Sequence, residues 1–373
     1  MFLYWGRRGL SEFTLLLANA AQQRADRHAV FSVSRQNERF DDFGRLGARI
    51  AAVDTFRTNS GALLAAWRVR RLRESILARI RSDRVDTVVS LMPHVWSPLV
   101  SPAIRRMGVK FVSVIHDATP HPGDVASRVA AWAGRDILTS DLIVTLSAHV
   151  TRTLVDSGLA QGRNVRTLFH PNLRLSSISR PAFPEPGQPF RVLFFGRILP
   201  YKGLSLLIDA VESLRRAGHP IELGVFGEGS LGNDAARLTA LGAEVANRWI
   251  AADEIPAVLS RYHAVALSHT EASQSGVTAL AAGHGVPVIA HPVGGIVEQV
   301  TDERTGVVAR TIGAEAFASS IRRLAEDGEL YDKISANLAA GDRARSMSAF
   351  LHEMYGCLAE LHAANTTQYS KSA

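Results

Sequence analysis

Short apolar runs alternate along the chain with longer stretches in which an apolar residue recurs every three or four positions. The short runs predict buried strands, and the longer stretches predict amphipathic helices. The predicted strands lie at 2–5, 87–91, 111–115 and 142–146 in the first half, and at 191–195, 221–226, 265–268, 287–290 and 306–309 in the second half. This rhythm predicts an α/β protein with two doubly wound, Rossmann-like domains that face each other across a cleft.

A proline-rich segment separates the two halves. Residues 179–189 include four prolines, and this composition continues neither a helix nor a central strand. We therefore expect an amino-terminal domain over 1–178, a linker over 179–189 and a carboxy-terminal domain over 190–345. Residues 346–373 would form a final helix, able to pack back on the amino-terminal domain, and a polar tail.

The balance of charge changes sign at the same place. Residues 1–180 carry 26 lysines and arginines against 14 acidic residues, a net charge of +12, whereas residues 181–373 carry 16 against 21, a net charge of −5. The helical pattern over 63–84 adds to the excess, because most of its arginines lie opposite its apolar face. Such asymmetry indicates contact with an anionic membrane or a polyanion. No aromatic-interleaved basic patch accompanies it, so we favour a membrane over nucleic acid.

The composition narrows the class of protein further. Of the 373 residues, 46% are hydrophobic and 21% are charged, which is typical of a soluble globular protein. The single cysteine, Cys357, excludes an intrachain disulfide and disfavours a cysteine-based metal site. No run of about 18 apolar residues predicts a membrane span, and the amino terminus lacks the layout of a signal peptide.

The richest candidate chemistry follows the strand at 191–195. Gly196 lets the chain turn, Arg197 and Lys202 lie five residues apart in the next loop, and Gly203 precedes an amphipathic helix. Open α/β sheets bind ligands at the carboxyl ends of their strands, and helix amino termini favour anions. Two cations in this place predict a diphosphate site.

A second polar loop follows the strand at 265–268. It contains Glu271, Gln274, Ser275, Gly276 and Val277, and a short apolar helix comes next. The backbone amides of residues 275–278 are expected to point at an anion, as they do at helix amino termini. A solvated loop capped by Ser275 is the structural alternative. That alternative does not require Glu271 and Gln274 to be polar, so we favour a binding role.

Two other strand ends carry weaker signals. His116 and Asp117 follow the strand at 111–115, which raises the odds that His116 belongs to a site, whereas His121 is expected on a surface loop. Residues 227–232 match G-x-G-x-x-G, but they follow the second strand of their domain and not the first. We interpret Gly227 as part of a turn near a nucleotide, and a dehydrogenase remains a minority alternative.

Together these pieces resemble the retaining, nucleotide-sugar-dependent glycosyltransferases of family 4, which have the two-domain GT-B fold. The resemblance runs from Phe2 to about Leu361. Its strongest parts are the segments 195–203, 271–277 and 285–295. The stretch 116–123 is similar to that of bacterial members that build surface polysaccharides on a lipid carrier.

The resemblance implies roles for individual residues. Arg197 and Lys202 would bind the donor diphosphate, Glu271 would contact the donor sugar, and His116 would orient that sugar. Gly9, in a shortened loop after the first strand, would approach the donor phosphate or the acceptor. The family's second glutamate, which usually holds the ribose, is replaced by Ala279. The remaining donor-binding residues would be Gly196, Gly227, Gln274, Ser275, Gly276 and Val277.

The implied reaction uses a UDP- or GDP-sugar and no metal, because the chain has no Asp-x-Asp motif. The acceptor would be a lipid-linked oligosaccharide in exopolysaccharide, capsule or O-antigen synthesis. The enzyme would work in the cytoplasm on the anionic inner face of the cell membrane. Two alternatives stay open: a GT-B nucleotide-sugar epimerase, and a non-catalytic protein that binds a nucleotide sugar.

Overall fold

The computed structural model describes residues 1–24, 28–56, 66–118, 132, 134–177, 180–341 and 343–370. The chain forms two compact units. The first contains the described residues up to Phe169 together with those from Met347 onward, and the second contains His170–Ser346.

The first unit is built on a parallel sheet of seven strands with the order β3-β2-β1-β4-β5-β6-β7. The strands are β1 (Phe2–Tyr4), β2 (Val30–Ser34), β3 (Arg49–Val53), β4 (Thr87–Ser90), β5 (Lys110–Ile115), β6 (Leu142–Thr145) and β7 (Val165–Thr167). The helices between them are α1 (Ser11–Gln22), α2 (Phe40–Arg45), α3 (Ala66–Ser82), α4 (Ser97–Arg106), α5 (Asp136–Thr139) and α6 (Ala148–Asp156).

The second unit repeats this plan with six parallel strands in the order β10-β9-β8-β11-β12-β13. They are β8 (Phe190–Phe195), β9 (Ile221–Phe226), β10 (Glu244–Ala246), β11 (Ala264–Leu267), β12 (Val288–Ala290) and β13 (Gly306–Val308). The helices are α7 (Leu204–Arg216), α8 (Asp234–Ala240), α9 (Ile255–Leu259), α10 (Gly276–Gly283), α11 (Ile296–Gln299), α12 (Ala314–Glu326) and α13 (Gly328–Gly341). The final helix, α14 (Met347–Ser370), belongs to the first unit, where Phe350 packs edge-on against Phe13 of α1.

Burial explains why these residues form a doubly wound fold. Strands β4 and β6 are buried along their whole length, as expected when helices cover both faces of a parallel sheet. Helix α7 buries its apolar stripe, Leu207, Ile208, Val211 and Leu214, against the second sheet. Each unit therefore has its own apolar core, and the two-domain α/β prediction is confirmed.

The boundary between the units lies earlier than the sequence predicts. It falls between Phe169 and His170, and the described part of the proline-rich segment packs on the second unit. The Tyr331 hydroxyl donates a hydrogen bond to the Pro181 carbonyl over 2.7 Å, and the ring of Phe183 lies 5.7 Å from that of Tyr331. Arg180 adds an ion pair with Asp332 at 2.9 Å. These contacts make the described part of the proline-rich segment a part of the surface of the second unit.

Within the described part of the chain, no helix combines the length and the apolar character that crossing a bilayer requires.

Candidate active site

The loops after β8 and β9 are in backbone contact at the edge of the second sheet where the strands end. Gly196 has a φ of +103°, and its N–H donates a hydrogen bond to the Phe226 carbonyl over 2.9 Å. A Cβ on Gly227 would lie 1.8 Å from the Gly196 carbonyl oxygen. Only glycine at position 227 leaves room for the Gly196 carbonyl group. This close packing holds the backbone of Gly196, and Arg197 follows it directly.

The turn that contains Lys202 is hydrogen-bonded to the residues that follow the neighbouring strand, β11. A Cβ on Gly203, which has a φ of +67°, would lie 2.0 Å from the Ser268 carbonyl oxygen. The Ser268 hydroxyl donates to the Lys202 carbonyl over 3.0 Å, and the Thr270 N–H donates to the Tyr201 carbonyl over 2.8 Å. Only glycine at 203 allows so close an approach, so the position of Lys202 is set by the end of β11.

His269 contacts Lys202, and the sequence analysis did not single it out. It is buried, and its Nε2 lies 2.9 Å from Nζ of Lys202. The ring nitrogen accepts this hydrogen bond, because an ammonium group can only donate. The His269 carbonyl in turn accepts from Nδ1 of buried His291 over 3.1 Å. Its place two residues after the end of β11 was the one signal in the sequence that could have revealed it.

Ser275 is the amino-terminal cap of α10, and its hydroxyl accepts from the Thr278 N–H over 3.4 Å. The Gln299 side chain, from α11, binds the Ser275 backbone twice. Its Oε1 accepts from the Ser275 N–H at 2.7 Å, and its Nε2 donates to the Ser275 carbonyl at 3.1 Å. Gln299 is a second residue that the sequence did not reveal.

These bonds correct the expectation that all amides of residues 275–278 point at an anion. The N–H groups of Ser275 and Thr278 are used inside the protein. Among the described residues, the N–H groups of Gly276 and Val277 make no hydrogen bond. The first turn of α10 therefore offers two amides and the positive end of its helix dipole to a ligand.

The two halves of the predicted diphosphate site meet at Gly196 and Val277. A Cβ on Gly196 would lie 3.4 Å from Cγ2 of Val277, so the loop that carries Arg197 borders the amino terminus of α10. Arg197 and Glu271 are exposed and Gln274 is half-buried. The structure thus gathers the predicted residues of the second unit at one sheet edge.

Ala279 occupies the place of the family's second glutamate. Its side chain is buried, and its carbonyl accepts a hydrogen bond from the Leu173 N–H over 2.9 Å. A glutamate here would bury a carboxylate, which is costly without a partner. The departure from the family pattern therefore fits the local packing.

Gly9 and His116 lie in the first unit. Gly9 is exposed, with a φ of +80°, in the loop after β1. His116 directly follows β5, and its Nε2 donates to the Leu91 carbonyl over 2.9 Å while its ring meets Phe13 edge-on. Burial lowers the pKa of His116, so the imidazole is neutral near pH 7. His121 falls within 119–131, outside the described residues.

The basic helix predicted over 63–84 is α3, with residues 63–65 outside the described range. Val69, Leu72, Ile76 and Ile80 are buried, as their spacing predicts. Trp67 is 58% exposed, and the guanidinium groups of Arg68 and Arg71 lie 5.3 and 5.0 Å from its ring centroid. The outer face of α3 thus presents an aromatic ring between two cations.

As for metals, the described residues contain no cluster of three or more histidine, cysteine or acidic side chains arranged to hold an ion. Metal-independent chemistry stays a prediction.

Comparison with known proteins gives a consistent assignment. The family model "Glycosyl transferase 4-like domain" matches residues 8–172, and "Glycosyl transferases group 1" matches residues 189–327. The alpha-D-kanosaminyltransferase of Streptomyces kanamyceticus is 25% identical over 81% of this chain and 82% of its own. The D-inositol 3-phosphate glycosyltransferase of a Nocardioides species is 28% identical over 64% of this chain and 57% of its own. The structure of HepE from Anabaena in complex with UDP and glucose covers 96% of this chain and 98% of its own, with a TM-score of 0.68 and 17% identity.

Proposed function

Because the chain belongs to the family 4-type glycosyltransferases with the GT-B fold, we propose that it moves a sugar from a UDP- or GDP-sugar to a glycan acceptor, retaining the anomeric configuration and using no metal. The observation that carries this proposal is the contact of the Arg197 loop with the amino terminus of α10 at Gly196 and Val277. Two cations and two open amides border one sheet edge. This is the arrangement that a nucleoside diphosphate requires.

The proposed chemistry follows from charge. Breaking the sugar–phosphate bond leaves a nucleoside diphosphate, whose growing negative charge needs donors that are already in place. Arg197, Lys202 and the amides of Gly276 and Val277 supply them. One such donor is typically worth about 3 kcal/mol of barrier, so losing either cation should slow turnover on the order of a hundredfold.

The remaining roles concern the sugar and the acceptor proton. Glu271 and Gln274 would bind hydroxyl groups of the donor sugar, and His116, being neutral, would orient the sugar by hydrogen bonding. In a retaining transfer the departing phosphate oxygen can take the proton of the acceptor hydroxyl. No strong protein base is then required.

A screen of UDP- and GDP-sugars by thermal shift tests donor binding, since a ligand of the native state raises the unfolding midpoint. Incubation with the stabilising donor alone, followed by NMR, separates the alternatives. A transferase gives slow hydrolysis to the retained anomer, whereas an epimerase gives a new sugar without acceptor. The proposal would be contradicted if the protein bound nucleotide sugars but converted none of them, either alone or in the presence of a glycan acceptor.

We further propose that the acceptor is lipid-linked, in bacterial exopolysaccharide, capsule or O-antigen synthesis, and that the enzyme meets it at the cytoplasmic face of the membrane. The exposed ring of Trp67 between Arg68 and Arg71 supports this, because aromatic rings and cations together favour an anionic interface. Flotation with vesicles tests it. Binding should require anionic lipid and weaken in Trp67→Ala, whereas equal binding to neutral vesicles would contradict it.

A further inference from the structure

A second cationic site lies in the first unit, at the carboxyl ends of β1 and β2. A surface cavity of about 360 Å³ is lined there by two side chains of the loop after β1 and three of the loop after β2. They are Arg7, Arg8, Arg35, Gln36 and Glu38. The three arginines are exposed, and Glu38 is the one acidic residue of this lining.

Three successive carbonyl groups of the loop after β1 accept hydrogen bonds from other parts of the first unit. The Gly6 carbonyl accepts from Nδ2 of Asn37 at 3.0 Å, and the Arg7 carbonyl accepts from the N–H of Glu38 at 3.3 Å. The Arg8 carbonyl accepts from the hydroxyl of buried Tyr4. The negative ends of these peptide dipoles are therefore engaged within the protein.

Glycine at position 6 makes room for the Tyr4 side chain, because a Cβ there would lie 2.7 Å from the Tyr4 hydroxyl oxygen. The loop from β2 is fixed in a similar way. Oε1 of Gln36 accepts from the Thr55 N–H at 2.8 Å and from the Ser34 hydroxyl at 2.9 Å. Loops held by these hydrogen bonds thus carry the three arginines and Gln36 around one cavity.

Two acidic side chains, Glu38 and Asp54, lie beside the three arginines of this cavity. Nε of Arg8 lies 3.8 Å from Glu38, and Nε of Arg35 lies 3.7 Å from Asp54. These separations exceed those of charge-assisted hydrogen bonds, and exposed ion pairs of this kind are weak. Burial raises the pKa of Glu38 despite the arginines beside it. An incoming anion therefore meets an excess of guanidinium groups.

We propose that this cavity binds a phosphoryl group of the acceptor. That the bound phosphoryl group belongs to an acceptor rests on the proposed function. The binding of an anion in this cavity does not depend on it. Guanidinium groups present pairs of N–H donors that match the oxygens of phosphate, and three of them suit a phosphate or diphosphate better than a neutral sugar. All five lining residues belong to the first unit.

The test is calorimetric titration of the full-length chain carrying Arg197→Ala and Lys202→Ala, so that the predicted donor site no longer competes. The probes are inorganic phosphate and inorganic pyrophosphate at low ionic strength. One equivalent of at least one probe should bind saturably. Adding Arg7→Ala and Arg35→Ala should weaken that binding at least tenfold. Arg45→Ala is the matched control, because its exposed side chain pairs with Asp42 outside the cavity, and it should change the affinity less than twofold.

A tighter fit of pyrophosphate supports a diphosphate-linked acceptor, and a tighter fit of phosphate supports a phosphomonoester; both support the site. The absence of saturable binding would overturn the proposal, as would an affinity that survives Arg7→Ala and Arg35→Ala. Circular dichroism and the unfolding midpoint report whether each variant folds. The proposed function is read separately, from binding and turnover of nucleotide sugars by the unmodified chain.

Discussion

Nζ of Lys202 lies 2.9 Å from Nε2 of His269, so the predicted diphosphate-binding lysine is held by a buried ring at the end of the neighbouring strand. A long, flexible ammonium side chain loses rotamer freedom when it binds a ligand. The hydrogen bond to His269 restricts Lys202 beforehand. His269 is therefore a positioning residue for the charge on Lys202.

His269→Phe should lower kcat about tenfold, equivalent to about 1.4 kcal/mol of barrier. Steady-state kinetics with the donor found in the screen checks this, with His352→Phe, at an exposed position, as the control. In a Lys202→Ala background the same substitution should cost almost nothing further, because the two residues act as a unit. Fully multiplicative losses in the double variant would show that His269 acts independently of Lys202.

Gly227→Ala should destabilise the second unit by about 1–3 kcal/mol and weaken donor binding. The added methyl group would meet the Gly196 carbonyl oxygen, which is backbone and cannot rotate away. Urea unfolding and donor titration measure the two effects. Gly356→Ala, where a Cβ in α14 meets open space, should instead leave the chain as stable or slightly more stable. Equal behaviour of the two variants would contradict the packing role of Gly227.

The sequence predicted the purely apolar strands well, and it predicted poorly the strands that contain polar residues or lie at a sheet edge. Strand β2 was missed because it contains Ser32 and Ser34, both fully buried, and polar residues interrupt the apolar run that marks a central strand. Ser32 accepts a hydrogen bond from the Trp5 indole at 2.9 Å, and no local pattern reveals such a distant partner. Strand β10 was missed because it is short and lies at the sheet edge, where half-exposed residues are tolerated.

The same distinction holds for the site. Arg197, Lys202 and Ser275 could be proposed from the sequence because their positions at strand ends and at a helix start are local features. Gln299 binds a backbone 24 residues away, and this contact exists only after β11, β12 and their helices have packed. The expectation for the Ser275 amide failed for this reason.

Gln299→Met should weaken donor binding several-fold and cost about 1–3 kcal/mol of stability, because the Ser275 N–H then loses its acceptor. Isothermal titration with the donor and urea unfolding measure these effects. Gln188→Met, at an exposed position of the same unit, is the matched control and should change neither quantity. Unchanged donor affinity in Gln299→Met would show that donor binding at the start of α10 does not depend on the hydrogen bonds between Gln299 and the Ser275 backbone.

Asp136 provides a prediction about pH. Burial raises its pKa to about 7, although Ser101 donates a hydrogen bond to its Oδ1 over 2.8 Å. Between about pH 4 and pH 7 the folded state therefore keeps a proton that the unfolded chain has released. The free energy of unfolding should fall as the pH rises through this window, by at most ~4 kcal/mol from this group.

Asp136→Asn removes this titration and can still accept from Ser101. Urea unfolding at pH 5 and pH 8 should show that the wild type loses more stability than the variant over this interval. Parallel curves for the two proteins would mean that Asp136 is ionised in the folded state throughout.

The most direct test of the central claim is to titrate the nucleoside, its monophosphate and its diphosphate, using the base identified in the donor screen. We expect the wild type to bind the diphosphate at least tenfold more tightly than the monophosphate. In Arg197→Ala/Lys202→Ala this preference should disappear while the affinity for the nucleoside is unchanged, and the exposed-site control Lys333→Ala should behave as wild type. An undiminished preference for the diphosphate in the double variant would contradict the account.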